Sequence, residues 1–283
     1  MARPFTLAAV AYDAKVVNIW EGFKVFFARH DLAFDYVLFS NYEAQVAAHF
    51  AGMVDAAWNS PLAWLQSVAI AGAKHLTAEA IAMRDSDRDQ RSLIVARKDA
   101  HIQRIVDLQG KRIAVAAKDS PQATLIPLEL LAQDGLLADK DFHVEFFDAL
   151  AGKHGDRVDG ERAAARAMSQ GKIDAACMIE GNYTLFGFEG TVNPAAMHIV
   201  AHTEHYDLAN FTILRERKHA DTDKFVRLLL AIEYEDHDMR PLLDLAGLKQ
   251  WVTGRSSHHT LLAAAMQRFG TSRDFIGEVA AAN

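Results

Sequence analysis

One short pattern, written twice, constrains this chain more than any other feature. Gly52-Met53-Val54-Asp55-Ala56-Ala57 returns as Gly171-Lys172-Ile173-Asp174-Ala175-Ala176, with Asp174 standing 119 positions after Asp55. Each copy closes the same succession of elements. In the first, an apolar run from Phe5 to Tyr12 reads as a strand buried on both faces. Val16, Val17, Ile19, Trp20, Phe23, Phe26 and Phe27 then repeat at helical spacing. A second strand follows from Phe34 to Ser40, and a helix from Tyr42 to Phe50 that Gly52 stops. In the second, the order is strand Ile113 to Ala117, helix Pro121 to Ala132, strand Phe142 to Phe147 and helix Gly160 to Ser169. Strand alternating with helix implies parallel pairing. Two copies in one order imply two related lobes.

The 283 residues agree with that count, since a domain takes about 100 to 200. The reading is an α/β chain with residues 1–93 and 205–283 in lobe 1 and residues 94–204 in lobe 2, inserted into it. Two crossover strands, near Ser92 to Arg97 and His198 to Leu214, form the expected hinge. A strand-like run at Asn210 to Leu214 and the helices Thr222 to Glu233, Met239 to Leu245 and Thr260 to Phe269 are expected to pack back onto lobe 1. The run Arg84-Asp85-Ser86-Asp87-Arg88-Asp89-Gln90-Arg91 reads as a solvated loop.

Composition narrows the function. Hydrophobic residues make up 51% of the chain, which supplies cores and excludes disorder as the main state. A formal charge of −7 disfavours a nucleic-acid groove. The one cysteine, Cys177, excludes an internal disulfide and any multi-thiolate metal site. No metal and no cofactor are expected, since the 13 histidines are scattered and the densest cluster, His202-Thr203-Glu204-His205, reads as a polar linker. Membrane insertion is not expected, for want of a long apolar window. The apolar run after Arg3 is too short for a secretory leader, so the expectation is a cytoplasmic protein.

Ligands of open parallel sheets sit beyond the carboxyl ends of the strands. Tyr12, Asn59 and Ser60 follow strands in lobe 1, and Ser120, Gln122, Glu180 and Asn182 follow strands in lobe 2. The strongest local case is Lys118-Asp119-Ser120-Pro121-Gln122-Ala123-Thr124. There Ser120 can cap a helix that Pro121 opens, and the helix amino terminus attracts an anion. Asn59-Ser60-Pro61 repeats the device.

These residues resemble the type II periplasmic binding proteins, nearest the phosphonate, phosphite and phosphate substrate-binding components of ABC transporters, from about Leu7 to Leu230. The resemblance is carried by Asp107-Leu108-Gln109-Gly110-Lys111-Arg112-Ile113-Ala114-Val115 with Ser120, by Gly152-Lys153-His154, and by the second copy of the repeat. It implies a small-molecule anion bound between the lobes with hinge closure, in contact with Tyr12, Asn59, Ser60, Ser120, Gln122, Ala123, Thr124, His154, Glu180 and Asn182. Where that family has a Ser-Thr-Ser-Gly turn, this chain has Ser120-Pro121-Gln122-Ala123. Pro121 removes one amide donor, which brings in a carboxylate or another small anion beside a phosphonate. A permease or regulatory partner is allowed by the resemblance and marked by no motif. The competing reading, from enzymes built on the same fold, is a cytosolic lyase or decarboxylase acting on a small aromatic or hydroxy acid. His154 and Glu180 would then be its catalytic acid–base pair.

Overall fold

A computed structural model describes residues 3–148 and 151–282. Met1 and Ala2, which belong to the stretch read for a leader, lie outside the described residues. The chain divides into two compact units. Unit 1 comprises residues 1–88, 207–257 and 272–283, and unit 2 comprises residues 89–206 and 258–271.

Unit 1 begins with β1 (Phe5–Val10), α1 (Lys15–Arg29), β2 (Phe34–Phe39), α2 (Tyr42–Phe50), β3 (Ala56–Asn59), α3 (Pro61–Ala73) and β4 (Ala78–Arg84). Unit 2 carries β5 (Ser92–Arg97), β6 (Arg112–Val115), a π-helical turn (Pro121–Leu125) running into α4 (Ile126–Gln133), β7 (His143–Phe146), α5 (Asp159–Ser169), β8 (Ala175–Ile179), α6 (Glu180–Phe188) and β9 (Met197–His202). The remainder is β10 (Asn210–Leu214), α7 (Thr222–Leu230), α8 (Arg240–Ala246), β11 (Trp251–Thr253), α9 (Thr260–Phe269) and α10 (Arg273–Ala281).

Unit 1 holds a six-stranded mixed sheet in the order β11-β4-β10-β3-β1-β2, and unit 2 a five-stranded mixed sheet in the order β7-β6-β8-β5-β9. Both contain the same core. β1 lies parallel between β2 and β3, with β10 antiparallel against β3. β6 lies parallel between β7 and β8, with β5 antiparallel against β8.

The repeated hexapeptide explains that likeness atom by atom. Gly52 and Gly171 both have positive φ, at 75° and 73°, just past the ends of α2 and α5. The next residue in each copy closes the helix from behind: Met53 N donates to Ala48 O at 3.1 Å and Lys172 N to Ala167 O at 3.0 Å. That six-to-one bond requires a left-handed residue between, which glycine adopts without strain. The aspartates then pin the first strand to the third. Asp55 Oδ2 accepts from Thr6 N at 2.9 Å and Asp174 Oδ2 from Arg112 N at 2.8 Å. Their own amides donate back to Thr6 O and Arg112 O at 2.8 and 3.0 Å. The alanine pair sits in the parallel register, Ala56 on Leu7 and Ala175 on Ile113.

The sequence reading of the tail and of the charged run needs correction. α9 groups with unit 2, not with lobe 1. It packs on α4, and Arg268 Nε reaches the buried Glu129 carboxylate at 2.5 Å. The run from Arg84 to Arg91 is not simply solvated, because Asp87 is buried and grips Arg84 through two bonds of 2.6 and 2.8 Å. A buried carboxylate needs such a partner. β4 escaped notice because Ala78-Glu79-Ala80 carries little strand propensity. The chain passes between units after residues 88, 206, 257 and 271. β5 therefore lies wholly within unit 2 and β10 within unit 1; the passage after residue 88 precedes the expected Ser92 to Arg97, while the passage after residue 206 falls inside the expected His198 to Leu214. The segments at 87–92 and 203–208 are paired antiparallel, with Gln90 and Tyr206 exchanging two backbone bonds of 2.8 Å. Among the described residues, no helix is long and apolar enough to cross a membrane.

Candidate functional site

In unit 2, β6 delivers the chain to a buried turn capped by Ser120. Ser120 is buried, and its Oγ accepts from Ala123 N at 3.2 Å as a helix cap. Leu125 N donates to Ser120 O at 2.9 Å, the wider spacing of a π turn. Pro127 accounts for this widening, since it has no amide to give Ala123 O and its ring would crowd that carbonyl. The turn and α4 together make one helix from 121 to 133, with its amino end at Ser120.

The loop from 151 to 156 lies directly on that end. Gln122 Nε2 donates to Gly155 O at 2.6 Å, and Gly152 N donates to Asp119 Oδ2. A Cβ on Gly155 would stand 2.2 Å from Ser120 Oγ and 2.6 Å from Gln122 Nε2, and φ is +76° there, so only glycine fits. His154, buried with φ +49°, is carried to the turn by the same loop. Lys118, beside the turn, lies 5.4 Å over the Phe146 ring, next to a cavity also lined by Phe147, Asp148 and Ala151.

Beneath the turn lies a polar cluster. Gln122 O accepts from Ser92 Oγ at 2.5 Å, and Ser92 Oγ is 2.6 Å from the Tyr206 hydroxyl. Glu161, in the first turn of α5, is 1% exposed. Its Oε2 accepts from Ile179 N at 3.0 Å and from Asn182 Nδ2 at 2.8 Å, while Oε1 has no partner in hydrogen-bonding geometry. Burial pushes its carboxyl up to about 7, against donors on Asn182, Ile179 and Gln122 that pull the other way. The same burial, helped by the Glu161 charge, pushes the Cys177 thiol up to about 12, so this buried cysteine is unreactive. Sequence reading missed Glu161. Its signal was a carboxylate sharing the buried stripe of α5 with Ala164, Ala165 and Met168.

The expected site residues of unit 2 fall into two groups. Ser120, Gln122, Ala123, Thr124 and His154 gather at the turn, and Asn182 joins them through Glu161. Glu180, expected as half of an acid–base pair, is engaged in an ion pair. Its carboxylate is held by Arg91 in two bonds of 2.7 Å, and that guanidinium keeps it ionised to lower pH than usual.

In unit 1, Asn59 is buried and its amide is consumed internally, in correction of the expected ligand contact. It accepts from Gln45 Nε2 at 2.8 Å and donates to Thr212 Oγ1 at 2.9 Å and Ser67 Oγ at 3.2 Å. Ser60, also buried, caps α3 by accepting from Ala63 N at 3.1 Å. Tyr12 lines a narrow pocket at the carboxyl ends of the unit 1 strands with Trp20, Trp58, Trp251 and Arg84, whose guanidinium stacks on Trp58 at 5.3 Å.

Solved structures share this architecture. PhnD1 from Prochlorococcus marinus, in complex with methylphosphonate, is 16% identical and superposes with a TM-score of 0.68 over 95% of this chain and 98% of that one. A binding protein component of an ABC phosphonate transporter from Pseudomonas aeruginosa is 14% identical, with a TM-score of 0.62 over 100% and 90%. The periplasmic aliphatic sulphonate binding protein SsuA from Escherichia coli is 14% identical, with a TM-score of 0.58 over 100% and 95%. Among curated protein sequences none matches. The family model described as "ABC transporter, phosphonate, periplasmic substrate-binding protein" matches residues 10–259, and with most of its length inside that match the chain belongs to this family of two-lobed, type II binding proteins.

Proposed function

We propose that the protein binds a small oxyanion, of phosphonate, sulfonate or carboxylate type, on the Ser120–Thr124 turn of unit 2. The observation that carries this reading is the Gln122 amide, which already donates to an oxygen, Gly155 O, at 2.6 Å against the capped head of a 13-residue helix. A ligand oxygen would take the place of that carbonyl. The helix dipole and the amide then favour negative charge there. The named ligands of the structural relatives, methylphosphonate and aliphatic sulphonate, are of this class. An ABC-type permease is the partner this reading implies. A lyase finds no support in a Glu180 already neutralised by Arg91.

The test is thermal unfolding with methylphosphonate, methanesulfonate and acetate. At least one should raise Tm in proportion to the logarithm of its concentration. Replacing Ser120 and Gln122 together by alanine should abolish that rise. A double variant that folds and is stabilised like the parent would sink the site.

A further inference from the structure

We infer that Glu161 couples anion binding at the Ser120–Gln122 turn to the uptake of one proton, acting as a positioning residue through the Gln122 and Asn182 amides. This rests on the oxyanion reading above.

Among the described residues, no ion pair involves the Glu161 carboxyl. Glu161 is 1% exposed, and one oxygen accepts from Ile179 N and Asn182 Nδ2, while the other makes no bond in full hydrogen-bonding geometry and the Gln122 amide also acts on the carboxyl. The groups facing it are the Cys177 thiol from β8, the Tyr206 phenol from the 203–208 segment, and the Gln122 and Asn182 amides. Burial raises both the thiol and the phenol, so neither carries charge near neutrality, and no cation stands among the influences on Glu161. A desolvated carboxylate without a cation holds its proton to unusually high pH.

Two states of the cluster follow. Ionised, Glu161 accepts from the amide NH2 groups and draws these donors inward. Protonated, it forms an O–H bond with a proton from solvent and donates to an amide oxygen, which turns that amide's NH2 toward a ligand. A bound anion opposes the first state by charge repulsion and satisfies the second. Binding therefore shifts the carboxyl to its neutral form, with one proton taken from buffer for each anion bound.

Methanesulfonate, a strong-acid anion that stays ionised throughout, is the reporting probe in calorimetry from about pH 5.5 to about pH 8.5, in buffers of different ionisation enthalpy. The parent should take up close to one proton at the alkaline end and almost none at the acid end. Its affinity should fall about tenfold per pH unit above neutrality. Glu161→Gln, neutral at all pH, should bind with an affinity independent of pH. Binding without proton uptake, or an unchanged pH slope in Glu161→Gln, overturns the inference while leaving the site intact. If neither methanesulfonate nor methylphosphonate binds at any pH, the site fails and the inference with it. Carbon-13 NMR of the Glu161 carboxyl in the ligand-free parent gives a check that needs no variant. A midpoint in the ordinary glutamate range overturns the inference.

Discussion

The two units solve the same folding problem with different interiors. At the carboxyl-side neighbour pair, unit 1 sets Phe211 against Trp58 where unit 2 sets Ile94 against Cys177. The first pair belongs to an aromatic core with Phe5, Trp20, Phe23, Phe27, Phe34, Phe225 and Trp251. The second lies in a cluster of alanine, valine, isoleucine and leucine with one aromatic ring, Phe142. The polar groups differ as sharply. Unit 1 ends β3 in a neutral amide and hydroxyl network around Asn59, whereas unit 2 ends β8 beside a buried acid with an unmatched oxygen. One scaffold therefore serves a half whose third strand ends in a neutral amide network and a half whose equivalent strand ends beside a buried acid.

Truncating the aromatic interior should have the largest effect. Phe211 lies 4.7 Å from Trp58, 5.2 Å from Trp251 and 5.3 Å from Phe225, and Phe211→Ala should cost about 3–5 kcal/mol in urea unfolding. Ile94→Ala, its counterpart, should cost less, about 2–4 kcal/mol. The reverse order would break the contrast between the two cores.

Titration should separate the units next. Glu161 has its carboxyl raised from 4.5 to about 7 in the folded protein. Between those values the native state binds more protons than the unfolded chain, so stability falls as pH rises through this window. The penalty should reach on the order of 3 kcal/mol above pH 7, and Glu161→Gln should remove the slope. His49 in unit 1 is buried, and burial lowers its imidazole from 6.5 to about 4. Here the unfolded chain binds more protons, so stability falls as pH drops from 6.5 toward 4. His49→Gln should flatten the acid limb alone. Unfolding of the two variants across pH checks both signs.

The paired aspartates make a smaller test. Asp55 is buried and also holds Arg3 through bonds of 2.9 and 2.5 Å, while Asp174 is only half-buried. Asp55→Ala should cost about 2 kcal/mol and Asp174→Ala about 1 kcal/mol, since the Asp55 carboxylate is the better buried acceptor, while Arg3 is mostly exposed and keeps its solvent. Equal costs would show that burial adds nothing to the pin. The helix caps should differ least, with Ser60→Ala and Ser120→Ala each costing about 1 kcal/mol. A far larger loss at Ser120 would show that the 151–156 loop depends on it.

Much of this was legible in the chain itself. The glycine, aspartate and alanine pair of the repeat act through local backbone geometry, so their spacing alone announced two similar lobes. Ser120 and Pro121 announced a helix start for the same reason. Glu161 stayed hidden because its partners Ile179 and Asn182 are 18 and 21 residues away. Asn59 misled, since its partner Thr212 is 153 residues distant and nothing nearby shows that the amide is spent. α9 was assigned to the wrong unit because an amphipathic stripe says that a face is buried and not against what.

The sequence by itself determined the repeat, the strand and helix order within each copy of it and the position of the capped turn, because each depends on short-range torsion, capping and periodicity. Only the tertiary structure decided which polar groups are satisfied and which carboxyl is stripped of water. Those outcomes depend on neighbours brought together across the sheet, and desolvation has no local signature in the chain.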